Sequence, residues 1–170
     1  MLAYKVVMVG DFGVGKTSLV KRFIDNSFSE EYLSTIGVSI SKKDLNNSTI
    51  MLWDIEGHTE FKPIFKQYLL GAKGFIIVAD ITRQNTIDSI KNHITLCHNV
   101  IPDAPICIAL NKNDLDYNIS DTDIEKLSTL SVSILNILKT SAKDGDAVNE
   151  IFGSLDEFIV KSLGTTSCKT

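Results

Sequence analysis

Short runs that are apolar at nearly every position alternate with longer stretches whose apolar residues recur every three or four places. Residues 2–9 read as a buried strand and 18–24 as a helix that starts near Gly15, while 25–34 are polar and too irregular for either element. Over 36–42 apolar and polar residues alternate, as in a half-exposed strand, and Asn46-Asn47 supply a turn before a second strand at 49–55, which makes an antiparallel hairpin. Residues 74–80 and 104–110 are apolar on both faces, which marks central parallel strands, and 133–139 form the last strand. Helical spacing predicts helices over 60–70, 85–99, 120–130 and 146–163. The order is that of an α/β fold with a six-stranded, mostly parallel sheet, one antiparallel strand and about five flanking helices. In such sheets ligands sit beyond the carboxyl ends of the strands, so chemical residues are expected just after them.

Composition narrows the reading. The 170 residues suit one domain, and a net charge of −4 argues against a nucleic-acid binder, which usually shows a basic face. Cys97, Cys107 and Cys168 form no C-x-x-C pair, and the first two lie in apolar stretches and read as core thiols. No apolar run is long enough for a transmembrane helix, the N-terminus enters the first strand without room for a signal peptide, and Leu2 is wrong for myristoylation.

The chemistry starts at Gly10-Asp11-Phe12-Gly13-Val14-Gly15-Lys16-Thr17, followed by Ser18. This is G-x-x-x-x-G-K-[ST] between a strand and a helix, the context of a phosphate-binding P-loop. Its glycines let successive N–H groups turn toward phosphate oxygens, and the helix start adds its positive dipole end. Lys16 is expected on the β- and γ-phosphates, and the Thr17 hydroxyl on Mg²⁺. After the third strand comes Asp54-Ile55-Glu56-Gly57, in which Asp54 either holds Mg²⁺ or caps a helix, and Gly57 lets a backbone N–H approach a γ-phosphate. After the fifth strand, Asn111-Lys112-Asn113-Asp114 fits N-K-x-D. An Asp114 carboxylate in the plane of a purine accepts from both donors of guanine, which adenine lacks. Ser141-Ala142-Lys143 follows the sixth strand, with backbone N–H groups that reach toward the guanine O6.

Together these residues resemble the small GTPases of the Ras superfamily over positions 5–161, and within it the Rab branch. Ser34-Thr35-Ile36-Gly37-Val38 is similar to the Rab switch I segment. Trp53-Asp54-Ile55-Glu56-Gly57-His58-Thr59-Glu60-Phe61 is similar to W-D-T-A-G-Q-E-R-F of switch II, and Tyr68 to Gly74 resembles Y-Y-R-G-A-x-G. The resemblance implies a single P-loop G domain over 1–163 with a tail at 164–170. It implies a guanine-nucleotide-dependent switch that binds GTP or GDP with Mg²⁺ and hydrolyses GTP, in membrane trafficking or signalling. The implied nucleotide-binding set is Asp11, Gly13, Val14, Gly15, Lys16, Thr17, Ser18, Phe28, Asn111, Lys112, Asp114, Ser141, Ala142 and Lys143. Thr17, Thr35 and Asp54 are the implied metal ligands, and His58, Lys16, Thr35 and Gly57 the implied catalytic set. Phe28 is expected edge-on to the guanine, with a loop-anchoring core aromatic as the alternative, and the Lys112 stem over the other side of the base. An effector, an exchange factor and an activating protein are expected to read segments 28–40 and 56–70. The protein is expected in the cytoplasm, peripheral on membranes only through lipidation not evident in this chain.

Several positions depart from the family pattern. His58 stands in place of the glutamine that orients the attacking water, Glu56 adds a negative charge beside it on the γ-phosphate side, and Phe12 replaces a small P-loop residue. Phe12 is expected either to crowd His58 and exclude an arginine finger, making hydrolysis slow, or to point away over an apolar patch. An alternative reading is a permanently GTP-loaded, hydrolysis-deficient binding scaffold. Val38-Ser39-Ile40 lacks the acidic-aromatic pair of Rab switch I. Neither Arg22, inside the first helix, nor Arg83, expected to be solvated, is assignable as a finger. The end Ser167-Cys168-Lys169-Thr170 fits neither C-a-a-X nor a paired-cysteine ending.

Overall fold

The computed structural model describes residues 2–31, 34–59 and 62–166. Its strands are β1 (Leu2–Gly10), β2 (Val38–Asp44), β3 (Ser48–Ile55), β4 (Ala72–Asp80), β5 (Ile106–Asn111) and β6 (Ile134–Thr140). They form one sheet in the order β2-β3-β1-β4-β5-β6, parallel throughout except for the β2–β3 hairpin. The helices are α1 (Lys16–Asp25), α2 (Gln84–Asp88), α3 (Ile90–Val100), α4 (Asp121–Leu127) and α5 (Val148–Thr166).

The period of two along each central strand sends alternate side chains to opposite layers. Tyr4, Val6 and Met8 of β1 pack with Leu19 and Phe23 of α1 and with Phe152 and Leu155 of α5. Val7 and Val9 of the same strand face Ile90, Ile94 and Cys97 of α3 on the other side. Phe23 and Phe152 stack with ring centroids 4.1 Å apart, fixing α1 against α5. A Cβ on Gly74 would lie 2.9 Å from Leu155 Cδ1, so glycine lets α5 close on β4. Cys97 and Cys107 are buried free thiols, and burial pushes the Cys107 thiol up to about 12.

Three helix expectations need correction. Over 60–70 only a short 3₁₀ turn, Lys66–Tyr68, forms; Glu60 and Phe61 lie outside the described residues. Pro63 restrains Lys62 and removes a helical donor, and Thr59 and Lys62 instead exchange two backbone hydrogen bonds of 3.2 Å. The 85–99 stretch divides at Ser89 into α2 and α3. The 120–130 stretch is α-helical only to Leu127 and ends in a 3₁₀ turn, Ser128–Leu130. The helix expected over 146–163 runs from Val148 to Thr166. Cys168 lies outside the described residues.

Candidate functional site

The sheet's carboxyl ends open onto a cavity of about 330 Å³, within the range of small-molecule sites. Gly13, Gly15, Lys16, Thr17, Ser18, Phe28, Thr35, Gly57, Asn111, Lys112, Asp114, Ala142 and Lys143 line it, drawn from six separate stretches of chain. Phe12 is also among the residues that line it, with 44% of its surface exposed. Lys21, Ser29, Glu30, Glu31, Ile55 and Leu115 complete the wall, and sequence reasoning gave none of them a site role.

The first turn of α1 faces this space. Gly15, at φ 99°, caps the helix without a side-chain hydrogen bond, leaving the first-turn N–H groups for an anion. A Cβ there would lie 2.3 Å from Asn111 Nδ2, and the left-handed φ already favours glycine. Lys16 Nζ donates to the carbonyls of Gly10 (3.1 Å) and Asp11 (2.9 Å). Burial lowers its pKa to about 8 although Asp54 and Asp11 oppose the shift, so a phosphate in the loop restores the charge.

Thr17, Thr35 and Asp54 converge. The two hydroxyls are 2.7 Å apart, and Thr17 Oγ1 donates to Asp54 Oδ2 at 2.5 Å, with Thr35 Oγ1 at 3.4 Å from the same oxygen. Asp54 Oδ1 is buried without a hydrogen-bond partner among the described residues. Burial raises the Asp54 pKa despite the Thr17 hydrogen bond and Lys16. Two hydroxyls and a carboxylate with an unsatisfied oxygen are a hard-oxygen donor set of the kind Mg²⁺ takes, so the residues fit that ion.

At the opposite end the side chains interlock. Asn111 Nδ2 donates to the Val14 carbonyl at 2.9 Å, and its Oδ1 accepts from Thr140 Oγ1 (3.2 Å) and Ala142 N (3.3 Å). Ser141 Oγ donates to Asp114 Oδ1 at 2.7 Å and accepts from Asp144 N. Val14 and Ser141 are thus fully buried supports outside the cavity lining. Lys112, at φ 70°, is held by buried Asp80, whose Oδ2 lies 2.6 Å from Nζ. Burial alone would raise the Asp80 carboxyl, but Lys112 and Thr82 outweigh it and lower the pKa. Arg22 donates through Nε to Ala142 O at 2.7 Å and through its terminal nitrogen to Lys143 O, tying the 141–143 turn to α1. Sequence reasoning missed Asp80, which had the form of a strand-ending turn residue, and the bracing role of Arg22.

The end near Phe12 differs from expectation at four places. Asp11 does not line the cavity; its Oδ1 lies 2.8 Å from Nε2 of His93 on α3. Arg83 is not simply solvated, since it pairs with Asp80 at 3.1 Å and donates to the Phe12 carbonyl at 2.9 Å. The Glu56 carboxylate also stays out of the cavity lining, because its Oε2 accepts from Gly37 N at 3.0 Å and lies 2.7 Å from Lys62 Nζ. Lys62 and the Gly37 N–H hold that carboxyl below its ordinary pKa. His58 docks by backbone onto the P-loop, with its N–H on Gly10 O (3.1 Å) and its carbonyl accepting from Phe12 N (3.0 Å). Its ring is 45% exposed and lies outside the cavity lining. Gly57 allows this docking, since a Cβ there would stand 2.6 Å from Phe12 Cα. Buried His93 was missed; the available signal was a histidine on the apolar stripe of Ile90, Ile94 and Cys97.

The family model described as the Ras family matches residues 5–161. Ras-related protein SEC4 of Saccharomyces cerevisiae is 32% identical over 164 residues, covering 94% of this chain and 76% of that protein. Ras-related protein Rab-1C of Dictyostelium discoideum is 37% identical over 169 residues, covering 93% and 81%. GTP-binding protein ypt1 of Schizosaccharomyces pombe is 32% identical over 170 residues, covering 96% and 83%. Guanine nucleotide is therefore the ligand class and GTP hydrolysis the reaction, and the sheet order and the match over 5–161 agree: the chain belongs to the Ras family, as a small GTPase close to the Rab branch.

Proposed function

We propose that the protein is a Mg²⁺-dependent, slowly hydrolysing guanine-nucleotide switch acting in membrane trafficking, cytoplasmic and peripheral on membranes. The observation that carries the reading is the meeting of Thr35 with Thr17 and Asp54 at the edge of the cavity. In this reading Asp114, oriented by Ser141, accepts from the guanine N1–H and N2 amine. Phe28 and the Lys112 stem flank the base, Ala142 N and its neighbours reach O6, and the N–H groups from Gly13 to Ser18 surround the phosphates. Lys16 moves from the P-loop carbonyls to the β- and γ-phosphoryl oxygens. Thr17, Thr35 and Asp54 hold Mg²⁺, which supplies neutralisation of charge on the phosphates. Gly57 N–H faces the γ-phosphate and His58 orients the attacking water.

Segments 28–40 and 56–70 are the surfaces offered to an effector, an exchange factor and an activating protein. No helix among the described residues is long and apolar enough to cross a membrane. Phe12 among the lining residues supports slow hydrolysis, because a large side chain at this P-loop position leaves less room for an inserted arginine than a small one, and such a finger is worth about 10³–10⁵ in rate. The test is mass analysis of the nucleotide released from purified protein, followed by single-turnover hydrolysis with and without Mg²⁺. The reading expects guanine nucleotide, loss of turnover on chelation, and a faster rate for Phe12→Gly. Adenine nucleotide in the released fraction overturns it.

A further inference from the structure

Three ionisable side chains from distant parts of the chain meet beside the P-loop, on the side away from the base. Asp11 Oδ1 lies 2.8 Å from His93 Nε2 and 3.7 Å from His58 Nδ1. The two imidazoles meet edge to face, with centroids 5.9 Å apart and planes at 78°. His93 is 4% exposed, on the face of α3 packed against the sheet, so its ring is held by the core. Ser89, the residue before α3, donates its hydroxyl to the Asn85 carbonyl at 2.9 Å. The other charged groups around the cluster are engaged elsewhere: Lys16 on the Gly10 and Asp11 carbonyls, and Arg83 on Asp80 and the Phe12 carbonyl.

We infer that His93 and Asp11 are positioning residues for GTP hydrolysis, which set the ring orientation and tautomer of His58. This rests on the proposed water-orienting role of His58. An ionised carboxylate only accepts, so His93 Nε2–H donates to Asp11, and the same oxygen favours a hydrogen on the Nδ1 of His58 that faces it. With its one hydrogen on Nδ1, the His58 ring carries its lone pair on Nε2, the nitrogen that does not face Asp11. The backbone of His58 is already fixed by the Gly10 and Phe12 hydrogen bonds, so the ring has only its two side-chain torsions left to set. A 3.7 Å separation is long for a hydrogen bond, and catalytic contacts of this kind commonly shorten once substrate is bound.

The reaction balances without proton transfer to the cluster. The water oxygen bonds to the γ-phosphorus, the bond from phosphorus to the β–γ bridging oxygen breaks, and its electron pair stays on the GDP. Both water protons end on inorganic phosphate. His58 Nε2 accepts a hydrogen bond from the water while the new bond forms, and it takes up no proton. A glutamine side chain carries its own donor and acceptor on one amide, whereas an imidazole has to be told which nitrogen is which. Asp11 and His93 supply that instruction.

The experiment compares wild type with His58→Ala, His93→Leu, His93→Gln, Asp11→Asn and the double variant His58→Ala/His93→Leu. Each is loaded with GTP and Mg²⁺ for single-turnover rates, and GDP affinity reports that the fold is intact. Protein with ¹⁵N-labelled histidine, bound to a non-hydrolysable GTP analogue, reports the tautomer of His58. His93→Leu should slow hydrolysis about tenfold, less than the ~10² that a 1 Å misplacement can cost. His93→Gln keeps a donor for Asp11 and should recover most of that loss. Asp11→Asn should move the hydrogen of His58 from Nδ1 to Nε2, because an amide can donate to Nδ1 where the carboxylate could only accept. In the His58→Ala background His93→Leu should cost nothing further. If it costs the same factor there, or if the His58 tautomer is the same with Asp11 and Asn at that position, the inference is overturned. Slow His58→Ala beside His93→Leu and Asp11→Asn at the wild-type rate overturns it while leaving the role of His58 standing. His58→Ala at the wild-type rate removes both.

Discussion

At one end of the cavity Asn111, Asp114, Ser141 and Ala142 are held with Val14 and Thr140 by four hydrogen bonds of 2.7 to 3.3 Å, and beside the other Phe12, Glu56 and His58 stand where the Rab pattern has other residues. Both ends rest on the same rigid sheet, so the difference is one of chemistry rather than order. The first end has side chains held by other side chains and by backbone groups of the fold, and a base docking there meets groups already oriented. The second end has pairings that run between separate loop segments: Glu56 to Gly37 and Lys62, and His58 to the P-loop. In the proposed function, nucleotide recognition and nucleotide turnover are thus carried by separable sets of residues, one lining the cavity and the other beside it.

The largest effect that can test this separation is at Asp114. In Asp114→Asn, Ser141 Oγ still has an oxygen to bond, and the new amide turns its donors toward the base. GDP affinity should fall about 10³-fold, because guanine donors then face a donor, while xanthine nucleotides should gain. Competition of GDP, XDP and ADP against a fluorescent GDP reads this directly. An unchanged preference for GDP would mean that specificity resides elsewhere than in the 111–114 segment. Gly57→Ala probes the other end. Its Cβ at 2.6 Å from Phe12 Cα meets backbone that cannot yield, so residues 57–58 must lift off the P-loop. Single-turnover hydrolysis should drop about 10²-fold, the scale of a 1 Å misplacement, with GDP affinity changing less than about threefold. If both fall together, the two ends are not separable.

Asp80 sharpens the comparison through pH. Its carboxyl pKa is depressed in the fold, so the unfolded chain binds a proton at higher pH than the native one. The stability it contributes is fully present above about pH 4, the unfolded carboxylate value, and is lost as pH falls through the lower folded value. Asp80→Asn should cost about 2 kcal/mol at pH 7, below the 3–5 of a fully buried pair because Lys112 and Arg83 remain partly hydrated. The gap between variant and wild type in urea unfolding should narrow below pH 4. A gap constant from pH 7 to pH 3 would show that Asp80 acts by packing alone. The same variant should loosen Lys112 and weaken GDP binding while leaving the hydrolysis rate in place.

Most of the architecture could be read along the chain because its signals are local. Strands β4 and β5 are apolar on both faces, Asn46-Asn47 breaks the hairpin, and the spacing of Gly10, Gly15, Lys16 and Thr17 names the loop. The helix expected over 60–70 was misread because its apolar spacing survives Pro63, while its hydrogen bonds do not. Candidate site residues after the strands converge as the fold rule requires, and 13 of those assigned to the nucleotide, metal or catalysis line the cavity. What stayed hidden is long-range pairing. Asp11 and His93 are 82 positions apart, and neither residue type at its place announces the other. Glu56 had the form of a charge aimed at phosphate until the structure supplied Lys62 and the Gly37 N–H as partners.

The smallest effect concerns that same Glu56. Its carboxylate joins Gly37 N at 3.0 Å, and its own N–H donates to Gly37 O at 2.8 Å, so two hydrogen bonds stitch the start of β2 to the end of β3. Glu56→Ala removes the first and keeps the second, because the backbone bond does not depend on the side chain. Lys62 then loses its partner and turns to solvent at little cost, since it is already half exposed. Local opening of a surface segment held by one hydrogen bond rather than two should show as about fivefold faster amide exchange at Gly37, with residues 106–111 unchanged. Asp114→Asn should leave exchange at Gly37 where it was, and Glu56→Ala should leave GDP affinity where it was. Exchange that accelerates equally in β5 and at Gly37 would mean that Glu56 stabilises the whole domain, and the boundary drawn between the two ends of the cavity would have to move.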